Sequence, residues 1–248
     1  MDTTFVKDVA HRPWPLPRGP WIMTQSWHDL LFAHWPVDRA MLAPLVPREF
    51  ALDLFDGTAW IGVVPFEMRN VGPRGVPALP GISRFAELNV RTYVRVADKP
   101  GVYFFSLDAG NPLAVYAARL WLNLPYFSAS MSVGRDGSGI VSYRSRRKGD
   151  WSAELVASYH PDGDVFTPQA GTLDYFLTER YCLYARDHRH RPYRLEIHHP
   201  PWRLQPAGAD LQRNSMAAAA GVALPSVAPL LHFVARQDMV GWSPHLLP

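Results

Sequence analysis

Glu87, Asn89 and Arg91 alternate along one short stretch, ELNVRTYVRV, and offer a carboxyl group, an amide and a cation to a single surface. Side chains of a β-strand point alternately to opposite faces, so Glu87, Asn89, Arg91, Tyr93 and Arg95 share one side. Leu88, Val90, Thr92, Val94 and Val96 share the other, which is core. The polar side either faces water or lines a polar cavity; in a cavity, an acid can move a proton and an arginine can hold an anion. Glu87 is the first choice for a pocket carboxylate, the alternative being a strand-end ion pair with Arg91 or Arg119. Strand parity adds Asn89, Arg91 and Tyr103 as further lining candidates. Arg119 shares a helix face with Val115 and Leu122 among apolar neighbours, which predicts a partly buried, paired guanidinium. It either braces the interior or binds a substrate carboxylate.

The elements that must position these groups read as strand, turn, strand, helix, strand. Asp98-Lys99-Pro100-Gly101 predicts a turn back into a strand over Val102 to Leu107. Asn111 caps a helix whose first position is Pro112, where no donor is needed, and Leu113, Tyr116, Ala117 and Leu120 recur at helical spacing. The helix stops before Pro125. Upstream, His28 to Trp35 reads as a strand, followed by Asp38 as cap of a short helix through Leu45. Phe50 to Phe55 and Thr58 to Phe66 read as a hairpin around Asp56-Gly57. Val71 to Gly81 reads as a breaker-rich loop. Downstream come a meander of Phe127 to Val133, Gly139 to Arg146 and Trp151 to Tyr159, a short helix from Thr172, and a hairpin of Arg180 to Ala185 with Tyr193 to His199. A small helix over Asn214 to Ala220 and a last strand over Leu230 to Arg236 follow. Glu179-Arg180 reads as a local structural pair. No strand–helix alternation implies a parallel sheet, so the expected fold class is α+β, β-rich and antiparallel, with a few short helices.

Composition narrows the function classes. The 248-residue chain carries a net charge of +3, contributed by 22 Arg against three Lys. The basic clusters Arg144 to Lys148 and Arg186 to Arg194 fall at predicted hairpin tips without an aromatic platform, so no nucleic-acid partner is expected. No apolar run is long enough to span a bilayer and no signal core precedes the proline-rich segment at His11 to Pro17, which predicts a cytoplasmic protein with no membrane partner. The single cysteine, Cys182, excludes an intrachain disulfide and reads as a small core thiol. No metal site is expected: His198 and His199 are adjacent in a strand and diverge, and His28 and His34 share a strand face but lie about 20 Å apart. Phosphate-loop, dinucleotide and nucleophile-elbow motifs are missing, and no cofactor is expected.

The run from Val102 to Met131 resembles the core motif of the acetoacetate decarboxylase-like superfamily: strand, small-residue helix with an arginine, then a Gly-Phe-Pro-Lys-Lys corner. Together with WHDLLFAHWPV from Trp27, DGTAWIGVVPF from Asp56 and FLTERY from Phe176, it makes the chain, from about Trp21 to Trp242, similar to the YqjF-like branch, the DUF2071 family. The resemblance implies a conical, barrel-like sheet enclosing a small pocket near the helix, in one domain over 21–248 after an extended proline-rich arm over 1–20. It also implies that Glu87 lies near the substrate, that Arg119 matches the family's helix arginine and that Pro125 matches the corner proline. The paired lysines then fall on Tyr126 and Phe127. A Schiff-base decarboxylase needs a desolvated amine, and neither ring can form an imine. Lys7, Lys99 and Lys148 all fall in expected solvated loops. Tyr126 either donates a proton or hydrogen bond to a bound oxygen or fills the volume the amine left. The reading is a barrel that binds a small organic acid or carbonyl compound, with lyase or hydratase chemistry by Glu87 and Tyr126 if it is an enzyme. The alternative is a noncatalytic ligand-binding or oligomeric assembly module plugged by its own aromatics. A homo-oligomer fits the resemblance and the aromatic load.

Overall fold

The computed structural model describes residues 2–77, 83–150 and 152–248. Its strands are β1 (Met23–Val37), β2 (Ala51–Leu52), β3 (Ala59–Pro73), β4 (Phe85–Val96), β5 (Lys99–Ala109), β6 (Tyr126–Arg135), β7 (Val141–Arg147), β8 (Glu154–Pro161), β9 (Cys182–Arg186), β10 (Pro192–His198), β11 (Gln205–Asn214), β12 (Leu230–Gly241) and β13 (His245–Leu246). Helices are short: α1 (Arg39–Leu42), α2 (Pro112–Leu122), α3 (Leu173–Thr178) and α4 (Met216–Ala219). The β-rich α+β class holds. Among the described residues no helix is long and apolar enough to cross a membrane.

The strands join in one sheet, ordered β13-β10-β9-β5-β6-β7-β8-β11-β12-β1-β3-β4-β2, with β5 also bonded to β4 and β10 also bonded to β12. These extra pairings make the sheet ring-like. From β5 to β12 it runs by three routes: through β4, β3 and β1, through β9 and β10, or through β6, β7, β8 and β11. The first route is a shared wall, buried on both faces. One face, with Leu31, Ala33, Val63, Leu88 and Val90, packs against Tyr143, Leu155, Tyr159 and Phe233 in the larger apolar core. The other, with Leu30, Phe32, Val64 and Phe66, packs against Trp202 and Leu204. Two-sided burial explains why LLFAHW in β1 reads as a continuous apolar run rather than an alternation.

Several expectations are corrected by the topology. The turn between β4 and β5 falls at Ala97-Asp98, with Ala97 at φ 53°, because Val96 pairs with Lys99. Gly101 therefore lies inside β5, where a Cβ would sit 2.7 Å from Cys182 Sγ and 2.8 Å from the Cys182 carbonyl; glycine is needed there for close strand approach. Asp56 and Gly57 do form a tight turn with positive φ at both positions, but β2 pairs with β4 instead of completing a hairpin with β3. The connection from β5 through α2 to β6 is a parallel crossover, with Leu107 opposite Tyr126 and Asp108 opposite Phe127. Val71 to Pro73 belong to β3, whereas residues 78–81 of the expected loop and Trp151 of the meander lie outside the described residues. β11 and β13 have no counterpart in the pattern reading.

Two buried anchors hold the crossover. Asn111 accepts from the Leu113 and Ala114 amides at the start of α2, and Asn123 ends the helix at φ 49°. Asp108 in β5 accepts two hydrogen bonds from Arg147 in β7, at 2.7 and 2.8 Å, and the Phe127 ring lies 4.0 Å from that guanidinium. Arg147 is thus an internal clamp and not part of a hairpin-tip cluster. Arg186 likewise chelates Glu49. The N-terminal segment docks on β10: Arg12 donates to the Ile197 carbonyl at 2.7 Å, and the Trp14 indole donates to Glu196 at 2.8 Å.

Candidate functional site

The cavity lies against the shared wall, bounded by β1, β3, β4, β5, β9, β10 and the end of α2, with a volume of about 120 Å³. Trp27, Phe32, Phe66, Leu124 and Trp202 form its apolar lining, and Gln25, Glu87, Asn89, Arg91, Tyr126 and Arg180 supply polar groups. An engineered apolar cavity of about 150 Å³ accepts a benzene molecule, so a space of this order suits a small organic ligand.

Glu87 is 2% exposed, and its carboxyl accepts from the Tyr126 hydroxyl at 3.0 Å. Burial, opposed by that hydrogen bond and reinforced by the nearby Asp108 carboxylate, pushes the Glu87 carboxyl up from 4.5 to about 8. Near neutral pH it is therefore a carboxylic acid, able to donate from its second oxygen. Burial and the adjacent acid push the Tyr126 phenol well above its ordinary value. Tyr143 in β7 fixes the same strand position by donating to the Glu87 carbonyl at 2.6 Å.

Arg91 is buried two positions further along the same face. Its Nη2 donates to the Leu177 carbonyl at 3.0 Å and to the Tyr93 hydroxyl at 3.4 Å, and its Cζ lies 5.0 Å from the centre of the Phe32 ring. Among the described residues its Nε has no hydrogen-bond partner and no carboxylate pairs with it; Asn89 Oδ1 is similarly unpartnered. Arg180 also lines the cavity, but its charge is offset by Asp53, 2.6 Å from Nη1. His199, stacked 4.5 Å from Tyr181, is held neutral, since burial lowers its imidazole to about 4. With Glu87 protonated, the cavity carries one uncompensated positive charge, at Arg91.

Of the residues named from sequence, Glu87, Asn89, Arg91 and Tyr126 meet in this cavity, and Arg119 and Tyr103 do not. Arg119 is exposed rather than partly buried; it donates to the Tyr126 carbonyl at 2.6 Å and stacks on Phe127, bracing the turn after α2 from outside. Tyr103 faces away, against Phe50 and Phe105, because a bulge opposite Val90 and Arg91 shifts the phase of β5 so that Val102 and Phe104 line the cavity instead. Glu87 pairs with neither Arg91 nor Arg119. Phe127 stacks on Arg147 and does not plug the space.

The pattern reading missed Arg180, His199, Trp27 and Trp202. Glu179 and Arg180 do not pair with each other: Glu179 accepts from the Trp202 amide and Tyr181, while Arg180 reaches Asp53. In β1, Asp29 at φ 47° marks a bulge, so Trp27 before it and Leu30, Phe32 and His34 after it share the cavity side, and His28 and His34 lie on different faces. His34 is instead buried beside Tyr93, 2.6 Å from its hydroxyl. An aspartate inside an apolar strand run was the available signal. Among the described residues no cluster of His, Cys, Asp and Glu suits a metal ion.

Replacing Glu87 by Gln preserves the shape and acceptor while removing the titration. Between its unfolded value of 4.5 and its folded value of about 8, Glu87 retains a proton in the folded chain that the unfolded chain has lost. Its stabilising contribution is full below the lower value and disappears as pH rises through the upper one. Burial, the Tyr126 hydroxyl and the Asp108 carboxylate set this window. Glu87→Gln is therefore expected to match the parent near pH ~5 and to exceed it by several kcal/mol near pH ~9, at about 1.4 kcal/mol per tenfold change in acidity. Urea midpoints measured across that range check it; a pH-independent difference would contradict the buried acid.

A ring-like β-rich sheet, a βαβ crossover and a cavity beside its corner define the acetoacetate decarboxylase-like fold. Acetoacetate decarboxylase from Legionella pneumophila is similar with a TM-score of 0.63 at 11% identity, over 98% of this chain and 95% of that one. The enduracididine biosynthesis enzyme MppR, complexed with pyruvate, is similar with a TM-score of 0.62 at 12% identity, over 96% and 93%. Such identities establish the fold alone. Residues 24–238 match the model of DUF2071, an uncharacterized conserved protein, and the uncharacterized protein YqjF of Bacillus subtilis (strain 168) is 48% identical over 227 residues, 92% of this chain and 93% of that protein. The chain belongs to the DUF2071 family.

Proposed function

We propose that the chain binds a small monocarboxylic acid, with or without a carbonyl group, in the cavity beside Glu87. The observation that carries this reading is the buried Arg91 guanidinium, which lines the space without a carboxylate partner. A ligand carboxylate satisfies it. Protonated Glu87 then donates to a ligand oxygen, and Tyr126 holds that acid in place through its own hydroxyl. If the ligand turns over, Glu87 is the group that delivers and recovers a proton, as lyase or hydratase chemistry requires. Arg119 and Tyr103 have no direct part.

Schiff-base chemistry is not part of the proposal. Lys99 Nζ lies 3.2 Å from Glu196, Lys7 and Lys148 are exposed, and none of the three lines the cavity. The solved relative MppR, complexed with pyruvate, supports an oxo acid as a first probe. The aromatic-plug alternative has less support, since Tyr126 bounds the space and Phe127 is elsewhere.

Trp27 and Trp202 stack at the cavity wall, 5.7 Å apart, and provide a fluorescence signal. Titration with pyruvate and short-chain acids is expected to change it saturably. The corresponding methyl esters should bind at least ~10-fold more weakly, because they lose the charge-assisted contact to Arg91. Borohydride is expected to trap no adduct. Equal affinity for acid and ester, or a covalently labelled lysine, overturns the reading.

A further inference from the structure

The cavity adjoins a second, larger space. A groove of about 720 Å³ runs between α2 and the ends of β1 and β3, and it shares Met23, Gln25, Met68, Leu122 and Tyr126 with the inner cavity. Its own walls are apolar: Val71, Phe85, Ala114, Ala117, Ala118 and Trp121, with no charged side chain among the described lining residues. The alanines explain the room. Three of the α2 residues lining the groove stop at Cβ, so little side chain projects from the helix to fill the space, and Trp121 lines it while remaining 56% exposed.

Polar groups therefore lie on one side of the shared residues Met23, Gln25, Met68, Leu122 and Tyr126, and hydrocarbon on the other. A short oxo acid would occupy the inner end and leave the groove uncovered. We infer that the site takes an amphipathic monocarboxylate whose head lies at Arg91 and Glu87 and whose unbranched or aromatic apolar chain passes Tyr126 and lies along α2. This rests on the proposed acid-binding function and adds the class of acid. A second protein chain is a poorer occupant, because the space adjoining the groove holds a buried cation that a protein surface cannot reach.

The test is a homologous series, from acetate to decanoate, titrated into the full chain with the tryptophan signal as readout. Affinity is expected to rise roughly fourfold per methylene once the chain enters the groove. Ala117 is exposed and lines the groove, so Ala117→Trp fills it from the solvent side, and Ala114→Trp fills it from the next turn. Either variant is expected to lower the ratio of decanoate to butanoate affinity at least tenfold. Because the readout is a ratio within one protein sample, partial misfolding does not imitate it. A flat series in the parent, or an unchanged ratio in both variants, overturns this inference while leaving short-acid binding intact. Failure of every acid to bind overturns it together with the proposed function. A parent dimer that either variant converts to a monomer in sedimentation, with a flat series, assigns the groove to a second copy and also overturns it.

Discussion

Arg91→Met is expected to lose about 3 kcal/mol of carboxylate affinity, or roughly a hundredfold, while the folded chain becomes no less stable. The two halves of that outcome come from the same geometry. Arg91 is buried without a carboxylate partner, so its removal deletes the anion contact and also relieves a desolvated charge. Its two hydrogen bonds are dispensable to their acceptors: the Leu177 carbonyl still accepts from Tyr93 at 2.8 Å. Methionine keeps the stem packed against Phe32. Calorimetric titration with pyruvate and thermal melting of the same samples give both numbers. A variant that melts lower and still binds acids at parental affinity would make Arg91 a structural brace and remove the basis for the anion site.

The other large effect is structural. Asp108→Ala should cost about 3–5 kcal/mol, because it leaves the Arg147 guanidinium buried and uncompensated, with Asp150 as its nearest remaining carboxylate at 4.0 Å. Burial pushes the Asp108 carboxyl above its ordinary range even with Arg147 bound to it, which indicates how much of the pair's attraction is consumed by desolvation. The double replacement Asp108→Leu with Arg147→Met is accordingly expected to recover more than half of the loss. Urea unfolding with linear extrapolation measures both. A single-variant loss below about 1 kcal/mol, or a double variant no better than the single, would show that the crossover is held by α2 packing instead.

The family motif and the strand pattern made much of the fold legible before any coordinates. Asn111 and Pro112 announced α2, the cap at Asp38 and the turn at Asp56-Gly57 were readable, and the meander of β6, β7 and β8 followed from its turn residues. The parallel pairing of β5 with β6 was not readable, because a parallel crossover and an antiparallel return leave similar apolar runs in each strand. Strand phase failed at two bulges. One inserted residue moves every later side chain to the opposite face, which placed Tyr103 in the wrong compartment and His28 and His34 on the same one. Arg119 was misjudged for a different reason: Val115 and Leu122 on its face are buried, but Leu120 at 63% and Tyr116 at 67% are exposed, so Arg119 stands at the edge of the buried stripe of α2.

By itself the sequence determined that Glu87, Asn89 and Arg91 share a strand face, that a proline-started helix follows β5, and that rings stand where the family motif has its amines. Alternation, capping and residue identity are local properties, fixed by a few bonds of backbone. Tertiary structure alone decided that this face encloses a cavity, that Glu87 stays protonated near neutral pH, and that Arg91 rather than Arg119 presents a free charge. Desolvation depends on distant chain segments, here Trp202, Arg180 and Tyr126 brought against β4 by a sheet that closes on itself, and no local pattern encodes that sum.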